Sequence, residues 1–387
     1  MKCFSLQSVA TVFAGIVTLA ACQKENENNQ GGSDSLELKG YVTSDLTLES
    51  GKTYKLLGSL QVKSPATLTI NEGVTVIAED NGEINYILIE QGAKINAVGT
   101  KGEPIVLTAE KKQSGAWGGV HICGKAHSNA GAGNTSEIGN ALYGGDAEDD
   151  NSGVMKYVRI EYSGYALDSE HEANGLSLYG VGNGTSLSYI QCVDGSDDGI
   201  EFFGGSVNID HCVVVNCADD SFDWTEGWNG KGEYLVAYQS LEECDCLFEC
   251  DNNGKAIDAA PISNPTLDHV TLIGNKGTEH KRGIRLRAGT YANFSNTLVS
   301  GKPSPITLET EPTIKSFVDG VSGFSNVIIS GTVKSDDTAT NAYTEEMFTS
   351  KGNKINQNLV FTSRFIGTVD GAGAVSADND WTAGWTK

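Results

Sequence analysis

From Met155 onward the chain repeats a six-residue phrase that is apolar at its first, fourth and sixth positions. It reads Met155-Lys-Tyr-Val-Arg-Ile160, Leu187-Ser-Tyr-Ile-Gln-Cys192, Ile209-Asp-His-Cys-Val-Val214, Leu267-Asp-His-Val-Thr-Leu272, Phe294-Ser-Asn-Thr-Leu-Val299 and Phe324-Ser-Asn-Val-Ile-Ile329. Thr297 is the weak fit. The starts are 32, 22, 58, 27 and 30 residues apart, and the 58 leaves room for one more turn near Tyr234 to Ala237. A second phrase interleaves with the first: Gly175-Leu-Ser-Leu178, Gly199-Ile-Glu-Phe202, Ser221-Phe-Asp-Trp224, Leu247-Phe-Glu-Cys250 and Gly283-Ile-Arg-Leu286. Gly119-Val-His-Ile122 and Pro305-Ile-Thr-Leu308 fit as outer members. Apolar residues flanking a single polar one are the period-two mark of a strand with one face buried.

Two short strands in each repeat of roughly twenty-odd residues describe a β-solenoid, whose coils stack on their neighbours. The Leu/Asn consensus of leucine-rich repeats is absent, and WD-type blades need about twice the period. Leu68-Thr-Ile70, Val74-Thr-Val-Ile77, Ile87-Leu-Ile89 and Ile105-Val-Leu107 carry the same rhythm toward the N-terminus. Residues 36–387 are therefore expected to be all-β, a single-stranded right-handed parallel β-helix whose coils run to about residue 365. Ile, Val, Leu, Phe and Cys would fill the lumen, with strands about 4.8 Å apart. Two Gly-, Asn- and Ala-rich stretches, near 124–153 and 252–265, break the period and must loop out as excursions. His211 and His269 share the third position of the first phrase with Tyr157, Tyr189, Asn296 and Asn326. That equivalence marks a turn, with Asn296 and Asn326 hydrogen-bonded along the stack.

The first residues read as an address. Lys2 precedes an apolar stretch, Val9 to Ala21, too short to span a bilayer, so residues 1–21 are read as a signal peptide. Leu19-Ala-Ala-Cys22 resembles the lipobox of bacterial lipoproteins, which implies cleavage before Cys22 and lipidation of its thiol. Residues 22–35, rich in Asn, Glu, Gly and Ser, form a flexible tether. The expected location is the bacterial outer membrane, held by lipid, with the periplasmic and surface leaflets both open. A formal net charge of −23 over 387 residues excludes nucleic acid as a natural partner, because the phosphate backbone needs Lys and Arg. Export permits disulfides, and Cys217 with Cys244, near corresponding turns of adjacent coils, is the candidate pair. Cys192, Cys212 and Cys250 fall at apolar positions as core residues. Cys244, Cys246 and Cys250 lack the spacing of a zinc knuckle.

Alignment of the second phrase makes its outward residue a column: His121, Ser177, Glu201, Asp223, Glu249, Arg285, Thr307. Asp197, Asp198, Asp219, Asp220 and Asp245 lie just ahead of the three acids. Like charges about 5 Å apart repel by about 3 kcal/mol at an effective dielectric of 20 and by under about 1 kcal/mol in water. The column is either solvated, or offset by a cation, a raised pKa, or Arg285 with Arg282 and Arg287. Phe203, Trp224, Trp228 and Tyr234 are near in sequence, and aromatic rings beside carboxylates suit sugars. Glu201, Asp223, Glu249, Trp224, Trp228 and Arg285 are thus the candidate ligand-binding set, for a glycan or a surface protein. No cofactor is required; Asp197, Asp198, Asp219 and Asp220 are the candidate Ca²⁺ ligands.

Trp117-Gly-Gly-Val120, Lys156-Tyr-Val-Arg-Ile-Glu161, Asp197-Asp-Gly-Ile-Glu-Phe-Phe-Gly-Gly205, Asp219-Asp-Ser-Phe-Asp223 and the tail from Phe365-Ile-Gly to Asp380-Trp-Thr-Ala-Gly-Trp385 resemble a family of Bacteroidota-type cell-envelope lipoproteins with pectin-lyase-like β-helices. The resemblance covers nearly all of the mature chain and implies a fold and a location, with no assigned activity. Asp197-Asp198, Asp219-Asp220 and Gly283-Ile-Arg-Leu-Arg287 also resemble, more loosely, the paired Asp and the Arg-Ile-Lys of polygalacturonase-type hydrolases. The Gly-His-Gly of that family is missing. The enzyme alternative, a polysaccharide hydrolase or lyase, would use Asp198, Glu201, Asp220, Asp223 and Arg285.

Overall fold

The structure, a computed structural model, describes residues 36–131, 133–165, 173–336 and 341–387; the expected signal peptide, Cys22 and the expected tether lie outside them. The expected parallel β-helix is what forms, with strands stacked in three parallel sheets. The site sheet carries the second phrase: Val120–Cys123, Leu176–Tyr179, Ile200–Phe203, Phe222–Thr225, Phe248–Cys250, Arg282–Leu286, Ser304–Leu308 and Val333–Ser335 pair parallel in that order. The first phrase bends across the other two sheets. Gly153–Glu161, Ser186–Val193, Lys231–Tyr238, Thr266–Ile273, Asn293–Ser300 and Gly323–Ile329 each begin in the second sheet and end in the third. Lys231–Tyr238 is the turn for which the 58-residue gap left room.

The bend is one residue long. Tyr157, Tyr189, His211, Tyr234, His269, Asn296 and Asn326, the third residues of the phrase, all have φ between 48° and 55°. Left-handed backbone is unfavourable for residues with a Cβ, and Asn tolerates it best. Stacking along the rod offsets the cost for the rings. Tyr157 on Tyr189, Tyr189 on His211, His211 on Tyr234 and Tyr234 on His269 have centroids 4.4, 4.6, 4.7 and 5.0 Å apart. Where the rings end an amide ladder takes over, Asn326 Nδ2 donating to Asn296 Oδ1 at 2.9 Å and Asn296 Nδ2 to Asp268 Oδ1 at 2.7 Å. Burial pushes His211 down to about 4, and its Nδ1 meets the Asp210 carboxylate beside the stack.

The lumen is a single apolar column running from Leu38 to Phe348. A short helix, Glu311–Val318, buries Ile314 and Phe317 against its far end, with Phe317 4.8 Å from Phe324. The tail leaves the coil path. Gly367–Val369 and Ala372–Val375 form an antiparallel pair, and with Trp381 and Trp385 they lie along the outside of the third sheet. That outer face carries Val193, Val213, Val215 and Val236, which need cover, and the tail supplies it. Trp385 O accepts from Arg159 Nη1 at 3.2 Å, and Lys387 N donates to Gln191 Oε1 at 2.8 Å.

Trp224 and Trp228 correct an expectation. Both are fully buried in the lumen rather than edging an outer face. Trp228 stacks on Phe202 at 3.9 Å and its Nε1–H reaches Val207 O at 3.0 Å; Trp224 donates to Thr290 Oγ1 at 3.0 Å. The alternation itself requires this for Trp224, which shares the inward parity of Phe222 and lies opposite to Asp223. Trp228→Ala should therefore destabilise the fold by about 3–5 kcal/mol, the usual cost of emptying a large aromatic site in a core. Urea denaturation followed by circular dichroism checks this; a loss near zero would mean that the ring is not packed as described.

Candidate functional site

The outward column exists in full register. Ser177 pairs with His121 and with Glu201, Glu201 with Asp223, Asp223 with Glu249, Glu249 with Arg285, and Arg285 with Thr307, before Lys334 closes the row. One strand spacing separates each neighbour, so three acids are followed directly by a base. Two positions further along each strand is a second row, in which Asp251 meets Arg287.

Asp198 and Asp220 hold the coils together as well as lining the face. Both are buried. The N–H of Asp220 donates to Asp198 Oδ1 at 2.8 Å, and the N–H of Cys246 donates to Asp220 Oδ1 at 2.6 Å. Each carboxylate thereby takes the backbone of the coil above. Asn174, at the same register one coil earlier, donates to Ser177 Oγ at 3.1 Å and to Glu201 Oε2 at 2.5 Å. Asp197 is buried and Asp219 exposed.

The acids converge in overlapping groups. Asp198, Glu201 and Asp223 offer oxygens within 4.8 Å of one another; so do Asp197, Asp198 and Asp219, and so do Asp219, Asp220 and Asp245. Asp223 Oδ1 is buried without a hydrogen-bond partner. Burial, then the charge of a neighbour, pushes four carboxyls well above their ordinary range: Asp198 beside Asp220, Glu201 beside Asp223, and Asp220 and Asp223 both beside Glu249. Glu249 is served differently. Arg285 Nη1 reaches its Oε1 at 2.7 Å and Arg287 pairs with its Oε2, while Arg287 Nε holds Asp251 at 2.8 Å. Arg285 also meets Glu309 at 3.2 Å, and Arg282 meets the same carboxylate at 2.9 Å. Burial works against the Arg285 charge, but Glu249 and Glu309 outweigh it and raise its pKa.

The structure brings Asp197, Asp198, Glu201, Asp219, Asp220, Asp223, Glu249 and Arg285 to one face and takes Trp224 and Trp228 away from it. Phe203 lies under the first excursion, and Tyr234 stands at the bend between the other two sheets. His121 is buried beneath that excursion, pushed down to about 4 by burial, with Nε2 donating to Gly118 O at 2.5 Å. Asn174, Asp251 and Glu309 are site residues that the motif reading missed. Asn174 had a signal, since it stands three residues before Ser177 as Asp198 stands before Glu201. All seven described cysteines are free and buried, so the expected Cys217–Cys244 bridge is not made. Burial raises the thiol pKa values of both to about 12, which leaves them unreactive core groups. At the basic end of the row a cleft of about 550 Å³ is lined by Lys281, Arg282, Thr307, Glu309 and Lys334 among others.

The family model of the pectate-lyase-like β-helix domain matches residues 40–386. The chain belongs to this family. No curated protein and no solved structure matches it. Membership in the pectate-lyase-like β-helix family agrees with the three stacked sheets, and a fold so widely used does not choose among ligands.

The raised carboxyls set the sign of a pH effect. A group that holds its proton more tightly folded than unfolded stabilises the fold below its unfolded pKa, and that stabilisation is lost as pH rises through the folded value. Without a bound cation, stability should fall as pH rises above the ordinary carboxyl range, at about 1.4 kcal/mol per pH unit for each proton retained. Asp220→Asn keeps the acceptor for the Cys246 N–H and removes one titrating group, so its slope should be shallower. Urea midpoints at rising pH decide it; equal slopes would remove Asp220 from the row of retained protons.

Proposed function

We propose that the protein is an exported β-helix lipoprotein, anchored through Cys22, whose acidic outer face is a binding surface and not a catalytic one. Asp198, Glu201 and Asp223, with Asp197, Asp219 and Asp220 alongside, would hold a divalent cation such as Ca²⁺. The cation and the neighbouring arginine ladder would together receive a hydroxyl-rich or acidic glycan, or a surface protein of like chemistry. The observation that carries this reading is the convergence of Asp198, Glu201 and Asp223, one of which, Asp223, keeps a buried Oδ1 without a hydrogen-bond partner. Hard oxygen donors at this density suit Ca²⁺, which takes six to eight such ligands at about 2.3–2.6 Å. A bound cation also relieves the like-charge repulsion that otherwise retains protons. Because the tryptophans are in the lumen, recognition would rest on charge and hydroxyl contacts and not on ring stacking.

The enzyme reading draws support from carboxyls whose pKa values burial and neighbouring charge raise, the direction in which a general acid is tuned. Two features weigh against it. Arg285 is paired with Glu249 and Glu309, which makes it a poor base for a lyase. The carboxylate oxygens of Asp198, Glu201 and Asp223, within 4.8 Å, are closer than the roughly 6.5–9.5 Å of inverting glycosidases and nearer the roughly 5–5.5 Å of retaining ones, so the spacing weighs only against an inverting hydrolase.

Millimolar Ca²⁺ should raise the melting temperature of the wild-type protein and chelator should reverse the rise, since a ligand of the native state alone stabilises it. Asp223→Asn should remove most of the shift, and wild type without any shift would sink the cation reading. Incubated with acidic and neutral polysaccharides, the protein should retain glycan in a Ca²⁺-dependent way and release neither reducing ends nor unsaturated products. Product release that disappears in Asp220→Asn would instead make it an enzyme. Metabolic labelling with palmitate should mark the wild type and not Cys22→Ala.

A further inference from the structure

The two excursions meet over the site sheet's outgoing turns. Asn129, in the first, donates through Nδ2 to Asn252 Oδ1 at 2.8 Å and to Pro261 O at 3.0 Å, and Asn253 Nδ2 donates back to Asn129 Oδ1 at 2.9 Å. The first excursion then folds over the outer side of the site sheet. Its Ile138, Ala141 and Tyr143 pack with Tyr86, Leu88, Tyr179 and Phe203. Its Glu137 accepts from Tyr179 OH at 3.3 Å and lies close enough for its charge to act on Glu201. The placing of this excursion decides how far the Glu201 end of the acid row is open.

At the base of the excursion stands His127, nearly buried. Its Nδ1 is 2.9 Å from both carboxylate oxygens of Glu148, and its Nε2 is 2.7 Å from Gly227 O. A carboxylate and a carbonyl only accept hydrogen bonds, and a neutral imidazole has one N–H to give. Both contacts together therefore need the imidazolium. We infer that His127 is a proton-dependent latch, which when protonated pins the excursion to the Glu226–Gly227 turn of the coil and when neutral gives up one of its two contacts and loosens the cover on the acid row. The inference does not depend on what the row binds.

Other charges face the same junction. Glu148 approaches from the excursion itself. From the coil, Glu226 takes Ser128 Oγ at 2.6 Å and Tyr143 OH at 2.8 Å, and burial raises its pKa; from the second excursion, the charge of Lys255 acts on Glu226. The two titrations have opposite signs. Rising pH ionises Glu226 and strengthens its hold on Ser128 and Tyr143, while it strips the proton that His127 needs. The latch opens as the imidazolium gives up its proton.

Amide hydrogen exchange of the whole protein tests this, with rates corrected for the intrinsic effect of pH. The probes are the N–H groups of Ala126, Gly144, Ala147 and Gly205, the last of which donates to His127 O. Protection there should drop at least tenfold between pH 5 and pH 8, while the amides of Ile200–Phe203 and Phe222–Thr225 hold. His127→Gln should flatten the drop, and Glu226→Gln should retain it. Equal protection at both pH values, or an undiminished drop in His127→Gln, overturns the latch. Should His127→Gln misfold, ring ¹⁵N spectra of the wild type decide: two protonated nitrogens at pH 5 and one at pH 8 support it, and a ring already neutral at pH 5 overturns it.

Discussion

Parallel, in-register stacking is the constraint on which the rest of the molecule depends. When every coil places its strands directly on those of the coil before, a residue meets its counterpart at one strand spacing, whatever it is. The consequences differ with the residue. Apolar counterparts merge into the lumen, and rings at the bend become a continuous stack that offsets a left-handed backbone. Asparagines there become an amide ladder. Acids become a row, and a row of acids cannot be neutral in its effect.

The acid row is tolerated because it is divided among several partners. Asp198 and Asp220 each accept a backbone N–H of the next coil, so they help to bind the coils that force them together. Asn174 serves Glu201 from below, and Arg285 with Arg287 neutralises Glu249 from above. Asp223, between these two ends, retains a buried oxygen with no partner. The like-charge repulsion is shared by Asp198, Glu201, Asp220 and Asp223, and a proton or a cation relieves it. A concave shape is not needed for such a site; convergent charge on a stiff scaffold is enough.

Both covers of the coil follow from apolar surface left on its outside. The tail shields the valines of the third sheet, and the first excursion shields Leu88, Tyr179 and Phe203 on the site sheet. Their attachments differ in kind. The tail is held by its tryptophans, by backbone contacts and by the Lys387 ion pair with Asp194, whereas the excursion is fastened at His127 and Glu226.

The period of the two phrases determined the coil, the outward column and its order, because strict alternation lets one residue in two face outward and stacking admits one register. It determined the bend too: Tyr, His and Asn share a position only if backbone geometry, not side-chain chemistry, is what they have in common. The inward place of Trp224 was also legible in its parity with Phe222, and proximity in sequence to Asp223 was the misleading cue. Only the tertiary structure decided what lies over the column. The excursions carry no period, so nothing in their composition tells that one packs back on the site sheet, that Asn129 joins it to the other, or that Glu249 rather than Asp223 receives the arginines. Repeats encode contacts between equivalent residues; contacts between unlike segments arise from three-dimensional packing, for which the chain offers no local signal.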